Sequence, residues 1–358
     1  WERSTNIRKV GFGMKSKVIK LADILLPDII NFAQQLIRTP SFTGHEGNLA
    51  KLVMSKMAEL DYDHVSVDSF GNVIGIVGDG PTGILFDSHM DTVGVNHPEE
   101  WRYDPFAGEI VDGKLYGRGS VDMKSALAAA VFAGHIAKRL GLQKDKTLYI
   151  TASVMEEDYD GEAVHSICRQ LERLPDYVVI CEPSGLDLAL GHKGRALLKV
   201  TSKGVSAHGS APEKGVNAVY EMSPILQRVE ALNNAMMRQG NETGSIALTK
   251  ICSSSESLNA IPAQCEVYLD RRLVTGEDKA IIGEEMNALL EGTDASWEIF
   301  DKRGKSYTGV PVVLHSFLQS WEISPDNVLT KACINSFKIM TEREPRLIKW
   351  DFCTNGVA

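Results

Sequence analysis

ILFDSHMD, residues 84–91, is an apolar run that stops on a histidine flanked by acids. It follows the Gly80-Pro81 turn and has the length of a buried strand. Two other stretches end in the same way: LYITASVMEE (148–157) and YVVICEPS (177–184) each run apolar and then finish on carboxylates. Strands that finish on His, Asp and Glu at one end let a parallel sheet gather ligands along a single edge. In open α/β sheets that carboxyl edge is where sites form. The pattern predicts one candidate metal centre and, with it, hydrolytic chemistry.

Outward from these strands the chain reads as α/β. A helical pattern runs from Met14 through Arg38, where Thr39-Pro40-Ser41 breaks it, and a second helix covers 47–60. Short strands are expected at 64–68 and 72–77. The segment 122–140 is rich in Ala and Leu with basic residues late, which suits a helix. Strand 147–154, helix 161–173 and strand 177–181 continue the alternation. Such an order implies a mostly parallel sheet with helices on both faces.

From about residue 191 the rhythm changes to strand 195–202, helix 216–236, strands 244–253 and 263–273, helix 278–291 and strand 295–301. That β-α-β-β-α-β order is the plan of a small ferredoxin-like domain. Helix 326–340 and strand 346–351 then resume the first pattern. The expected division is a catalytic domain begun by 14–192, an inserted lid or dimerisation domain at 193–304, and a return to the catalytic domain at 305–358. The polar opening WERSTNIRKVGFG shows no periodicity and is set outside the fold as a flexible extension or processing artefact. At the other end, DFCTNGVA closes on a small-residue turn with no final helix, so more chain is expected to follow.

Composition narrows the function. The chain has 358 residues, 43% of them apolar, and a formal charge of -9. No basic stripe is present to neutralise phosphates, which argues against nucleic acid as a partner. Part of the acid excess would be local if Asp91, Asp122, Glu156, Glu157 and Glu182 share one pocket with divalent cations. Six cysteines without a CxxC pair read as reduced and mostly buried, in a cytoplasmic protein. The longest apolar run, 126–137, is too short to span a bilayer and contains His135, so no membrane partner is expected.

The candidate residues follow. Asp91 lies two positions after His89 on the same face of an extended segment. It can accept from the ring nitrogen that does not face metal and so fix the tautomer; alone, the pair is an ordinary histidine and a loop aspartate. Asp122, in Gly117-Arg118-Gly119-Ser120-Val121-Asp122, stands where a helix begins. It either caps that helix or bridges two cations. A dinucleotide reading fails there because Asp122 replaces the third glycine of GxGxxG. Glu156 and Glu157 are adjacent acids at a strand end, where one could hold metal and the other take a proton from metal-activated water. Otherwise they belong to a solvated acidic loop. Cys181-Glu182-Pro183 adds a further carboxylate.

SHMDTV, GRGSVDMKSALAA, EEDYDG, CEPSG and GVSAHGSAPEKGVNAV together resemble a metallopeptidase family. That family includes acetylornithine deacetylase, succinyl-diaminopimelate desuccinylase and carboxypeptidase G. The likeness spans roughly residues 20–358, and the ending KWDFCTNGVA is most similar to a branch of selenium-metabolism hydrolases. The resemblance implies that His89 and Glu182 bind one zinc, Glu157 binds a second, and Asp122 bridges them. It implies Asp91 as the orienter of His89 and Glu156 as the general base, with Co2+ or Mn2+ tolerated in place of Zn2+. It further implies that lid residue His208 reaches across a homodimer to steady the oxyanion. Asn259 and Arg272 would hold a substrate carboxylate, unless Arg272 is a surface ion pair.

The implied activity is metal-dependent cleavage of an amide bond in an N-acyl amino acid or small peptide. A dipeptidase or carboxypeptidase is the alternative substrate class. A third reading is a metal-binding homologue without catalysis, because the family's last ligand is a histidine near the C-terminus and none follows here. The chain as written is then expected to hold one metal well and to have weak activity.

Overall fold

The computed structural model describes the chain except Trp1, Asn241, Glu242 and Glu256, and gives only the backbone of residues 2–12. Helix α1 (Glu2–Arg38) begins twelve residues before the predicted start at Met14. Once Met14–Arg38 is helical, each preceding residue adds one hydrogen bond at little cost, so the extension joins the helix. Of the opening segment set outside the fold, only Trp1 lies outside the described residues.

Helix α2 (Gly47–Glu59) leads to β1 (His64–Val67), β2 (Val73–Val77) and β3 (Thr82–His89). An unpredicted hairpin, β4 (Glu109–Val111) and β5 (Lys114–Tyr116), precedes α3 (Lys124–Arg139). Strand β6 (Lys146–Ser153), α4 (Glu162–Gln170) and β7 (Tyr177–Ile180) complete a five-stranded sheet of order β1-β2-β6-β3-β7. Four of the five strands run one way; β2 alone is reversed, antiparallel to both neighbours. The α/β class with a mostly parallel sheet holds. At its centre β6, β3 and β7 are parallel and adjacent, so their carboxyl ends share an edge. Helix α3 packs close to this sheet because Gly134 leaves room for Tyr62: a Cβ there would lie 2.2 Å from the phenol oxygen. That hydroxyl donates to Val131 O at 2.6 Å.

Strand β8 (Leu188–His192) leads into a second sheet built on β9 (Gly194–Lys203). Helix α5 (Ala218–Gln239), β10 (Ser245–Ser253), β11 (Gln264–Leu273), α6 (Lys279–Leu289) and β12 (Ser296–Ile299) follow. Strand order β10-β11-β9-β12, all antiparallel, is the ferredoxin-like arrangement. Both helices start on side-chain caps: Asn217 accepts from Val219 N, and Asp278 from Ala280 and Ile281 N. Strict in-out alternation along β9 and β11 puts Leu198, Val200, Val267 and Leu269 under the helices.

Arg271 points the same way but is ionic, 1% exposed, with Glu277 at 2.6 Å and Glu285 at 2.9 Å. Arg271→Ala is expected to destabilise the chain by about 3–5 kcal/mol, because it strands two half-buried carboxylates. Chemical denaturation reads this, and a loss under 1 kcal/mol would contradict it.

Short strands β13 (Lys302–Lys305), β14 (Pro311–Leu314), β15 (Phe317–Leu318) and β16 (Trp321–Glu322) lead back to α7 (Val328–Thr341) and β17 (Leu347–Trp350). Strand β17 lies parallel to β8. No described helix is long and apolar enough to cross a membrane. All six cysteines are free, but only Cys265 and Cys353 are buried and Cys252 is exposed, so the expectation of mostly buried thiols is too strong.

Candidate metal centre

His89 is the last residue of β3 and is 1% exposed. Its Nε2 lies 2.9 Å from Asp122 Oδ1, 3.6 Å from Glu182 Oε1 and 3.9 Å from Glu156 Oε2. One ligand atom from each of His89, Asp122 and Glu182 falls within 4.8 Å of the other two. Asp122 comes from the loop before α3, and Glu182 follows β7 by two residues. The N-cap of α3 is Met123, so the capping reading of Asp122 is corrected. Its carboxylate is turned to His89 instead. Glu157 stands apart from this trio: its Oε1 accepts the Val93 N–H at 3.2 Å.

Asp91 does more than the sequence suggested. His89 Nδ1 donates to the main-chain oxygen of Asp91 at 2.9 Å, and the Asp91 carboxylate lies 3.5 Å from the same nitrogen. The carboxylate is taken up by three other donors: Glu156 N at 2.9 Å, Glu157 N at 3.1 Å and Thr43 Oγ1 at 2.8 Å. One buried acid thus fixes the imidazole and the turn carrying both glutamates.

Electrostatics test whether a cation fits. Burial pushes Glu156 well above the usual carboxylate range; the His89 charge opposes this, while Asp160, Glu182 and Asp91 add to it. Burial raises Glu157 to about 7 and Glu182 to about 8. Burial works against ionised Asp122 too, but the hydrogen bond and charge of His89 hold it below its usual value. These acids can be ionised together only with positive charge between them. An imidazole and several carboxylates at one sheet edge are a divalent-cation donor set.

Sequence patterning does not single out three supporting groups. Asp87, two residues before His89 on β3, is buried and accepts from Thr151 Oγ1 at 2.7 Å, Ser153 Oγ at 3.0 Å and Asn355 Nδ2 at 2.8 Å. An acid inside an apolar strand was a readable signal. Asn72 and Glu46 carried none, because only tertiary packing brings them to residues 154–155.

Glu46 is wholly buried, and burial followed by the Asp91 charge raises its carboxyl from the ordinary 4.5 to about 7. Between those values the folded chain keeps a proton that the unfolded chain has released. The contribution of Glu46 to stability therefore falls as pH rises from 4.5 to about 7 and is level above it. Glu46→Gln has no proton to lose. In metal-free protein it is expected to remove that fall, worth about 2–3 kcal/mol between pH 5 and pH 8. Denaturation of both chains at pH 5 and pH 8 reads the difference, and parallel pH profiles would refute it.

The remaining sequence candidates lie on or beside the antiparallel β9–β12 sheet. His208 is exposed, with Nδ1 2.7 Å from Ser210 Oγ. Exposed Asn259 is beside it, its main-chain oxygen accepting the Gly209 N–H at 2.7 Å. Arg272 is ion-paired to Asp270, Nε to Oδ1 at 2.7 Å and Nη2 to Oδ2 at 3.1 Å, in a part-buried position on β11.

Residues 190–298 match the model of the M20 peptidase dimerisation domain. YgeY of Escherichia coli K12 is 33% identical over 337 residues, covering 92% of this chain and 83% of its own. Succinyl-diaminopimelate desuccinylase 2 of Shewanella loihica is 29% identical over 281 residues, 74% of this chain and 72% of that one. Among solved structures, human carnosine dipeptidase 1 superposes with a TM-score of 0.69 at 14% identity, covering 94% of this chain and 87% of that chain. The Saccharomyces cerevisiae dipeptidase Dug1p gives 0.70 at 14%, covering 94% and 86%. At such identity these two show the fold alone.

A sheet edge bearing imidazole and clustered carboxylates, joined to a dimerisation domain, defines a metal-dependent hydrolase that uses divalent cations for amide hydrolysis. The chain belongs to the M20 metallopeptidase family.

Proposed function

We propose that this chain hydrolyses the amide bond of an N-acyl amino acid or small peptide, with zinc as the metal. The observation that carries the reading is the convergence of His89, Asp122 and Glu182 within 4.8 Å, with the Glu156 carboxylate 3.9 Å from the same imidazole nitrogen. His89 and Glu182 would hold one ion, Glu157 the other, and Asp122 would bridge them. Such ions, when bound, acidify water and polarise a carbonyl.

The chain's own residues supply the rest. Glu156 takes the proton from the attacking water and returns it to the leaving nitrogen. Asp91 holds His89 and the 156–157 turn in place. Residues 193–304 would serve as the lid and dimerisation unit. The exposed positions of His208 and Asn259 support their acting on the partner's centre in a homodimer, where His208 would steady the oxyanion. Arg272 would meet a substrate carboxylate by leaving Asp270.

The test is an assay of N-acetyl amino acids and dipeptides with added Zn2+, Co2+ or Mn2+. Metal-dependent release of the amino acid is expected. Turnover of dipeptides alone would move the assignment to a dipeptidase, and no turnover with bound metal would favour a non-catalytic homologue. A mixture of His208→Ala and Glu156→Gln chains, each inactive alone, is expected to regain roughly a quarter of parent activity, because half the dimers carry one intact site. No recovery on subunit exchange would refute action across the dimer.

A further inference from the structure

Four consecutive amides take the chain round the corner into Glu156 and Glu157, and each is received by a side chain from another element. Val154 N–H donates to Asn72 Oδ1 at 3.0 Å and Met155 N–H to Glu46 Oε1 at 3.0 Å. Glu156 and Glu157 N–H donate to the two oxygens of Asp91 at 2.9 and 3.1 Å. Asn72 is itself fixed, since its Nδ2 donates to Asp68 Oδ2 at 2.8 Å and Ala163 O at 3.2 Å.

Met155 sits at the centre of this corner with φ of 60°, in the left-handed region. A non-glycine residue there costs roughly 1–2 kcal/mol and persists only when its surroundings impose it. Asn72 and Asp91 hold the residues on either side; Glu46 is the group on Met155 itself. Glu46 occupies the N-cap position of α2, yet its side chain makes no capping bond. It accepts instead from Met155 N–H and from Gly44 N–H, the latter at 2.9 Å. Its second oxygen, Oε2, is buried without a hydrogen-bond partner, a cost that helix capping does not explain.

We propose that Glu46 is a positioning residue for the catalytic turn: by receiving the Met155 N–H it fixes the left-handed corner that aims Glu156 at His89. The inference rests on Glu156 being the general base. It predicts that loss of the acceptor loosens residues 154–157 while the strand before them stays in place.

Hydrogen–deuterium exchange on the metal-free full chain tests this without turnover. In Glu46→Ala, exchange across 154–158 is expected to rise about tenfold, with α2 and β3 at parent rates. Glu46→Gln, which keeps an acceptor oxygen in position, restores protection. On the metal-loaded chain, Glu46→Ala is expected to lower kcat about tenfold to a hundredfold with KM unchanged, and Glu46→Gln to recover most of that loss. Parent-like exchange at 154–158, exchange rising equally along the whole chain, or an unchanged kcat overturns the proposal. If Glu46→Ala does not fold, Glu46→Asp, one methylene shorter, is read by the same criteria. Activity retained in Glu156→Gln would sink the base assignment instead, and the exchange result would stand apart from it.

Discussion

Glu156→Gln is expected to lower the amide-hydrolysis rate of the metal-loaded protein about a thousandfold, within the range of general-base catalysis, while its metal content equals the parent's. A carboxamide has nearly the shape of the carboxylate, so the main-chain bond from Glu156 N to Asp91 and the turn around it persist. Under the proposed mechanism, what is lost is the acceptor for the proton of water and its later donation to the leaving nitrogen. A thousandfold corresponds to about 4 kcal/mol of transition-state free energy. Glu156 is 6% exposed beside Asp91, Asp160 and Glu182, so no bulk water replaces it as base. Metal lost together with activity would make Glu156 a ligand and transfer the base role to Glu157.

His89→Ala is expected to weaken zinc binding by at least about a hundredfold, more than loss of an outer hydrogen-bond partner costs. His89 is the only nitrogen donor in the cluster with Asp122 and Glu182. Without it two carboxylates remain for that ion, fewer than the three protein ligands a zinc site usually has. Calorimetric titration reads the affinity. The stability of the metal-free variant controls for the cavity left by the ring. Zinc affinity within a few-fold of the parent would place the ion elsewhere.

Much of this centre was legible because apolar runs at 84–88, 148–154 and 177–181 end on ligand-type residues, and β3, β6 and β7 are indeed adjacent and parallel. The order of the β9–β12 unit was legible from alternation between period-2 and helical segments, since the two faces of its sheet differ sharply in polarity. The reversed direction of β2 was not, although its tight link to β1 through residues 68–72 can join only antiparallel neighbours. Strands β13 to β16 pair over two to four residues each, too short to leave a period. Asp122 also shows the limit of local reading: its place before α3 matches a cap, and only the packing of that loop against β3 turns it to His89. Glu46 and Asn72 stabilise amides about 80 to 110 residues away in sequence, which no local pattern encodes.

The most direct measurement is the anomalous difference map of a crystal of this chain grown with Zn2+. The account predicts its strongest peak between His89 Nε2, Asp122 Oδ1 and Glu182 Oε1, with any second, weaker peak between Asp122 and Glu157. A map whose strongest peak lies at exposed His97, Glu99 and Glu100, with none at His89, would contradict it.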